Sequence, residues 1–178
     1  MEFIELMDCI RRLGNIDPPT FACTAPNADG YSFLRLQPQG TAHYERTSGV
    51  SLCAPDHTAK CRAFLKLSRS TNADLLLFPE YCLSYDLLQE IVAKEELWPE
   101  NHKLWVLPCQ GVPILDFDDF LSECRVHPNL CLIGDGWSNP GVNKKRFVTA
   151  LFYCFRVWHT IEKRWKLCLV PQLKTHPM

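Results

Sequence analysis

No Cys-x-x-Cys pair occurs in this chain, although it holds ten cysteines. That absence argues against zinc-finger-type sites, whose ligands come in such pairs. No apolar run approaches the roughly 20 residues of a membrane-spanning helix, so no membrane partner is expected. Neither sign of charge is in excess: 19 Lys and Arg face 20 Asp and Glu, for a net charge of -1. A chain so balanced has no electrostatic reason to bind nucleic acid or an anionic surface. Near Met1 no apolar signal segment is visible, because Glu2, Glu5 and Asp8 interrupt it. Without such a segment the cysteines do not read as a secreted disulfide scaffold. Several lie inside apolar runs, as in Leu130-Cys131-Leu132-Ile133 and Leu167-Cys168-Leu169-Val170, where they act as small hydrophobes. The expectation is a cytoplasmic protein with free thiols. No internal repeat, low-complexity tract or linker divides the chain.

What remains is an ordinary globular composition: 178 residues, 47% hydrophobic and 22% charged, enough for one domain with a sizeable core. Phe3, Leu6, Met7, Ile10 and Leu13 have helical spacing, and Asp17-Pro18-Pro19 ends that helix. Residues 1–30 therefore read as an amino-terminal helix and loop, and residues 31–178 as the body. Tyr31 to Leu36 alternates like a strand, and residues 41–55 read as a polar loop. Asp56 is placed to cap a helix running to about Ser70, with Ala59, Ala63, Phe64, Leu67 and Leu65 considered for its buried face. A strand over residues 74–79, a helix from Tyr85 to Lys94 and a strand from Lys103 to Leu107 follow. A helix from Phe117 to Cys124 and a short strand from Leu130 to Ile133 come next. Two long apolar strands, Phe147 to Trp158 and Trp165 to Val170, are joined by Thr160-Ile161-Glu162-Lys163 as a hairpin, with Pro171 ending the second. Strands alternating with helices predict an α/β sheet.

The stretch Asp74-Leu75-Leu76-Leu77-Phe78-Pro79-Glu80-Tyr81 carries the most information. Four apolar residues run into Pro-Glu, which delivers a carboxylate to the carboxyl end of a buried strand, where α/β sheets build their pockets. Glu80 reads either as a cap or surface partner for the next helix, or as a general base in a half-buried pocket. Lys174, in Leu173-Lys174-Thr175-His176-Pro177, reads either as a solvated charge after a strand or as an oxyanion stabiliser beside a glutamate. Cys53, His57 and Cys61 are spaced four apart, but Pro55 and the capping Asp56 put Cys53 outside the helix, so no metal site is expected there. Gly134-x-Gly136 lacks the third glycine of a dinucleotide loop, and Lys144-Lys145-Arg146 reads as a solvated loop.

The two segments around Glu80 and Lys174 together resemble the carbon–nitrogen hydrolase (nitrilase) superfamily. The matching pieces are Leu75-Leu76-Leu77-Phe78-Pro79-Glu80, the strand–helix units after it, the hairpin from Phe147 to Val170, and Leu173-Lys174-Thr175-His176-Pro177. The resemblance covers about residues 31–178, which would be the amino-terminal half or so of such a domain. It implies an α-β-β-α sandwich, incomplete in this chain. It also implies a Glu-Lys-Cys triad that attacks a small amide or nitrile, with Glu80 as the base, Lys174 as the lysine, and no metal or cofactor. The family's nucleophilic cysteine follows its lysine by a few dozen residues, whereas the four residues after Lys174 contain none. Cys109 and Cys82, at or just past strand ends near Glu80, are the alternative thiols. The other outcome is a nitrilase-like module without catalysis, used for binding or assembly. A half sandwich leaves one sheet face for self-association or for a partner chain.

Overall fold

The computed structural model describes residues 10, 14–24, 30–134 and 147–173. The helix expected over residues 3–13 falls outside them except for Ile10, as do Gly136, the basic cluster at 144–146, and Lys174. In chain order the described elements are β1 (Ile16–Asp17), β2 (Phe33–Arg35), β3 (Thr41–Glu45), β4 (Gly49–Cys53), α1 (His57–Ser70), β5 (Leu75–Leu77) and α2 (Tyr85–Ala93). They continue with β6 (Leu104–Pro108), β7 (Val112–Pro113), α3 (Ile114–Val126), β8 (Leu130–Leu132), β9 (Phe147–Val148), β10 (Ala150–His159) and β11 (Arg164–Leu173). The class is mixed α/β. No described helix is long and apolar enough to cross a membrane.

One seven-stranded sheet organises the molecule, in the order β2-β5-β6-β10-β11-β8, with β1 paired to the far end of β10. β2, β5 and β6 run parallel, β10 and β11 form an antiparallel hairpin beside them, and β8 returns parallel to β11. The central strands β5, β6, β10 and β11 are apolar runs that tolerate burial on at least one face.

Helices α1, α2 and α3 cover a single face. Cys61, Phe64 and Leu65 of α1, Leu87, Leu88 and Ile91 of α2, and Phe117, Phe120 and Leu121 of α3 pack with Leu76, Trp105, Leu107, Phe152, Cys154, Leu167 and Leu169 from the sheet. Period-2 alternation sends the neighbouring residues to the opposite face. There Ile10 and Phe21 cover Phe155, Val157 and Cys168. Leu75, Leu77, Val106, Leu151, Tyr153 and Val170 are only half-buried.

Several expectations are corrected. Residues 41–55 are not loop. Thr41 pairs with Cys53 and Glu45 with Gly49, making a hairpin whose side chains are mostly exposed, so hydropathy gave no strand signal. Gly49 takes φ 86°, and a Cβ on Gly111 would fall 2.3 Å from the Ser48 carbonyl oxygen, so the hairpin's turn packs hard on the chain after β6. The buried face of α1 is His57, Cys61, Phe64, Leu65 and Ser68, whereas Ala59, Ala63 and Leu67 are exposed. The helix buries His57, Cys61 and Ser68 beside Phe64 and Leu65, and leaves its lysines exposed. Asp56 does precede α1, but in a left-handed conformation and without a side-chain cap bond. Pro171 does not end β11, which runs on to Leu173. β8 pairs only with residues 167–169 of β11, so Pro171 lies where the strand has a described neighbour on one side and its missing N–H is tolerated. The glycine-free hairpin turn closes through Lys163 at φ 50°.

Charged groups join the parallel strands. The Asp74 carboxylate pairs with Lys103 Nζ at 2.6 Å and accepts the Ser32 backbone N–H at 2.7 Å. Lys103 and then Ser32 hold its carboxyl below the usual range. Arg62 and then Lys94 lower Glu90 on α2 to about 2. A carboxyl whose folded pKa is depressed contributes stability above its unfolded value, and loses it as pH falls through the folded value. The urea midpoint should therefore hold from neutral pH to about pH 5 and fall between about pH 4 and 2, and Asp74→Asn should make that fall shallower. An acid-insensitive midpoint for the unsubstituted chain would remove these pairs from the account.

Candidate functional site

β5 is short and steeply apolar, and Phe78 extends its ladder by donating to the Val106 carbonyl at 3.1 Å. Pro79 then has no N–H to give. The chain turns out of the sheet at Glu80 and through Tyr81, whose φ of 58° is unusual for a bulky residue. A backbone held in this region costs about 1–3 kcal/mol and persists only where its surroundings fix it. Here they do. Leu52 of β4 donates to the Tyr81 carbonyl at 3.1 Å, Leu83 donates to Pro108 at 3.0 Å, and Gln110 donates back to Leu83 at 2.8 Å. Ser84 then caps α2 by accepting the Leu87 N–H, which leaves that role to a serine rather than to Glu80.

Glu80 lies at the mouth of a cavity of about 210 Å3, whose other walls include Pro108 of β6, Leu151 of β10, and Gln172 and Leu173 of β11. The carboxyl ends of β5 and β6 thus meet the end of β11 at one place. The volume is below the roughly 300–1,000 Å3 of most small-molecule pockets. Glu80 is exposed, whereas the general-base reading placed it in a half-buried pocket. Lys174, the next residue after Leu173, lies outside the described residues.

No described cysteine lines this cavity. Cys109 is fully buried on the helix side, and burial pushes its thiol up. Cys82 is equally buried, and its thiol is raised first by its contact with Cys61 and then by burial. Both shifts work against a reactive thiolate.

A second constellation stands behind the Glu80 loop. His57 Nε2 is 3.6 Å from Cys61 Sγ and 3.6 Å from Cys82 Sγ, and the two sulfurs are 3.7 Å apart. All three residues are buried, on α1 and on the loop that follows Glu80. The Cys61 thiol is lowered because Cys82 shares its proton with it. The Cys82 carbonyl lies 2.6 Å from Nε2, while His57 Nδ1 is buried without a hydrogen-bond partner. His57 also walls a wider surface cleft of about 530 Å3, shared with Cys53, Ser84 and Gln110. Of the four-apart set Cys53, His57 and Cys61, the fold joins the last two, leaves Cys53 exposed, and adds Cys82. The α1 spacing was a signal for two of these three residues, but nothing local in the sequence announces Cys82.

Comparison with protein families, with curated proteins and with solved structures gives no match.

Proposed function

We propose that this chain carries the base-and-lysine part of a nitrilase-type carbon–nitrogen hydrolase site, with Glu80 as general base and Lys174 as oxyanion stabiliser. One observation carries the reading: Glu80 shares its cavity with Gln172 and Leu173, so the strand that leads into Lys174 ends beside the glutamate. The strained and doubly anchored turn at Tyr81 supports it, since a base must be held in place. In this reading Glu80 takes the proton of a cysteine thiol, and the thiolate attacks the carbon of a small amide or nitrile. The Lys174 ammonium stabilises the negative charge that develops. From an amide, ammonia leaves with the proton held by Glu80, whereas the thioimidate formed from a nitrile first adds one water and then loses ammonia. In both cases a further water activated by Glu80 releases the thioester. The thiol comes from outside the described residues, since Cys82 and Cys109 are sheltered in the core. The second layer of the implied α-β-β-α sandwich would stack on the face that holds Val106, Tyr153 and Val170.

A non-catalytic binding or assembly module is the second reading. It is favoured by the lack of a described thiol in the Glu80 cavity. The full polypeptide made from its own reading frame, assayed for ammonia release against a panel of short primary amides and nitriles, separates the two. Release at a rate proportional to protein, abolished by thiol alkylation, is expected. Its complete absence across the panel leaves the module reading.

A further inference from the structure

We infer that His57, Cys61 and Cys82 form a binding site for a thiophilic divalent cation, zinc above all, bound through the imidazole and two thiolates. The inference does not rest on the hydrolase reading. Zinc takes sulfur at about 2.3 Å and imidazole nitrogen at about 2.0–2.1 Å, so tetrahedral ligation sets sulfurs about 3.8 Å apart and sulfur and nitrogen about 3.6 Å apart. The observed separations are 3.7 Å between the sulfurs and 3.6 Å from each sulfur to Nε2. The three atoms thus already outline one face of a coordination tetrahedron. A chain of hydrogen bonds would need only two of those three close edges.

The chemistry of the donors fits as well. Two sulfurs and an imidazole suit zinc over magnesium or calcium, which prefer oxygen. His57 is one of three buried polar side chains among the described residues. The other two are satisfied, Ser68 by the Leu65 carbonyl and Lys166 by Glu162, whereas His57 keeps an unpartnered Nδ1. In the metal-free chain Nε2–H donates to the Cys82 carbonyl. On binding, Nε2 gives its lone pair to the cation, the ring proton moves to Nδ1, and each thiol releases one proton to solvent. His57 also walls the 530 Å3 cleft, and a water would complete the four ligands of the ion. The ion would tie α1 to the loop two residues beyond Glu80.

The test uses the full chain, purified under reducing conditions, stripped of metal, and titrated with cobalt(II) and then zinc. One equivalent of cobalt should bind with thiolate-to-cobalt charge-transfer absorption, and one equivalent of zinc should displace it. Zinc, and not magnesium, should raise the thermal midpoint. Cys61→Ser and Cys82→Ser should each weaken zinc at least tenfold, about 1.4 kcal/mol, with the metal-free melting of each variant recorded as the folding control. If either variant fails to fold, zinc-edge X-ray absorption of the unsubstituted chain decides, with two sulfurs at about 2.3 Å and one imidazole nitrogen expected. Cobalt binding without charge transfer, an absorption spectrum showing four sulfurs, or zinc affinity unchanged in a folded Cys61→Ser, Cys82→Ser double variant would each overturn the site. So would recovery of Cys61 and Cys82 as a disulfide from the reduced and metal-loaded protein.

Discussion

Glu80→Gln should lower the turnover of any amide or nitrile that the full polypeptide hydrolyses by about 10²–10⁴-fold, the usual contribution of a general base. Glutamine keeps the shape and hydrogen-bonding reach of glutamate but cannot take a proton from a thiol. The loss should therefore fall on kcat, with KM little changed, because Gln172, Leu173 and the other cavity walls stay in place. Folding should survive. Glu80 is exposed, and backbone bonds through Tyr81, Leu83 and Gln110 hold the turn that presents it. A stability change within about 0.5 kcal/mol is expected for such a surface substitution. Turnover retained by Glu80→Gln would remove Glu80 as the base. A large loss of stability would instead make the carboxylate a structural partner, and the substitution could then no longer report on chemistry. Tyr81→Gly adds a second check, since glycine adopts φ 58° without strain and frees the loop. If a fixed base matters, that variant should lose turnover while keeping its fold.

The parts of this fold that hydropathy dictates were legible in the sequence. Leu75-Leu76-Leu77, the Leu130 to Leu132 strand and the long hairpin announce themselves because helices or neighbouring strands bury them. α2 and α3 show their buried leucines and phenylalanines at helical spacing. The failures occur where burial and hydropathy part company. The β3–β4 hairpin is mostly exposed and polar, so its strand character rests on cross-strand hydrogen bonds that no local pattern reveals. α1 presents its alanines to solvent and buries His57, Cys61 and Ser68 beside Phe64 and Leu65, so polar residues share the face that hydropathy alone would assign to alanines. The site divides in the same way. The position of Glu80 at a strand end was readable because an apolar run delivers it, and the long hairpin because both its strands are apolar. The grouping of Cys82 with His57 and Cys61 was not, because it joins residues 21 and 25 apart across a loop whose path is set by Tyr81.

The sheet face turned away from the helices should make the chain self-associate. Strand pairing sets Leu77 beside Val106, Val106 beside Tyr153, and Tyr153 beside Val170, so four apolar side chains form one row across β5, β6, β10 and β11. Neighbouring strands lie about 4.8 Å apart, so the row is about 14 Å long. Leu75 and Leu151 widen it, and all six residues are half-buried. Two such faces stack at about 10 Å, as the sheets of a sandwich do, and each buried Å2 of apolar surface contributes roughly 25 cal/mol. The expected occupant in a solution of this chain alone is a second copy, which presents the same row. Sedimentation should show a mass that rises with concentration toward a dimer. Val106→Lys with Val170→Lys should return it to the monomer, because two ammonium groups per copy would have to be buried against their symmetry mates. In the monomer those lysines reach water from a half-buried position, so the urea midpoint should move far less than the association constant. A unsubstituted chain that stays monomeric at high concentration and melts cooperatively would mean that this face is satisfied within one copy.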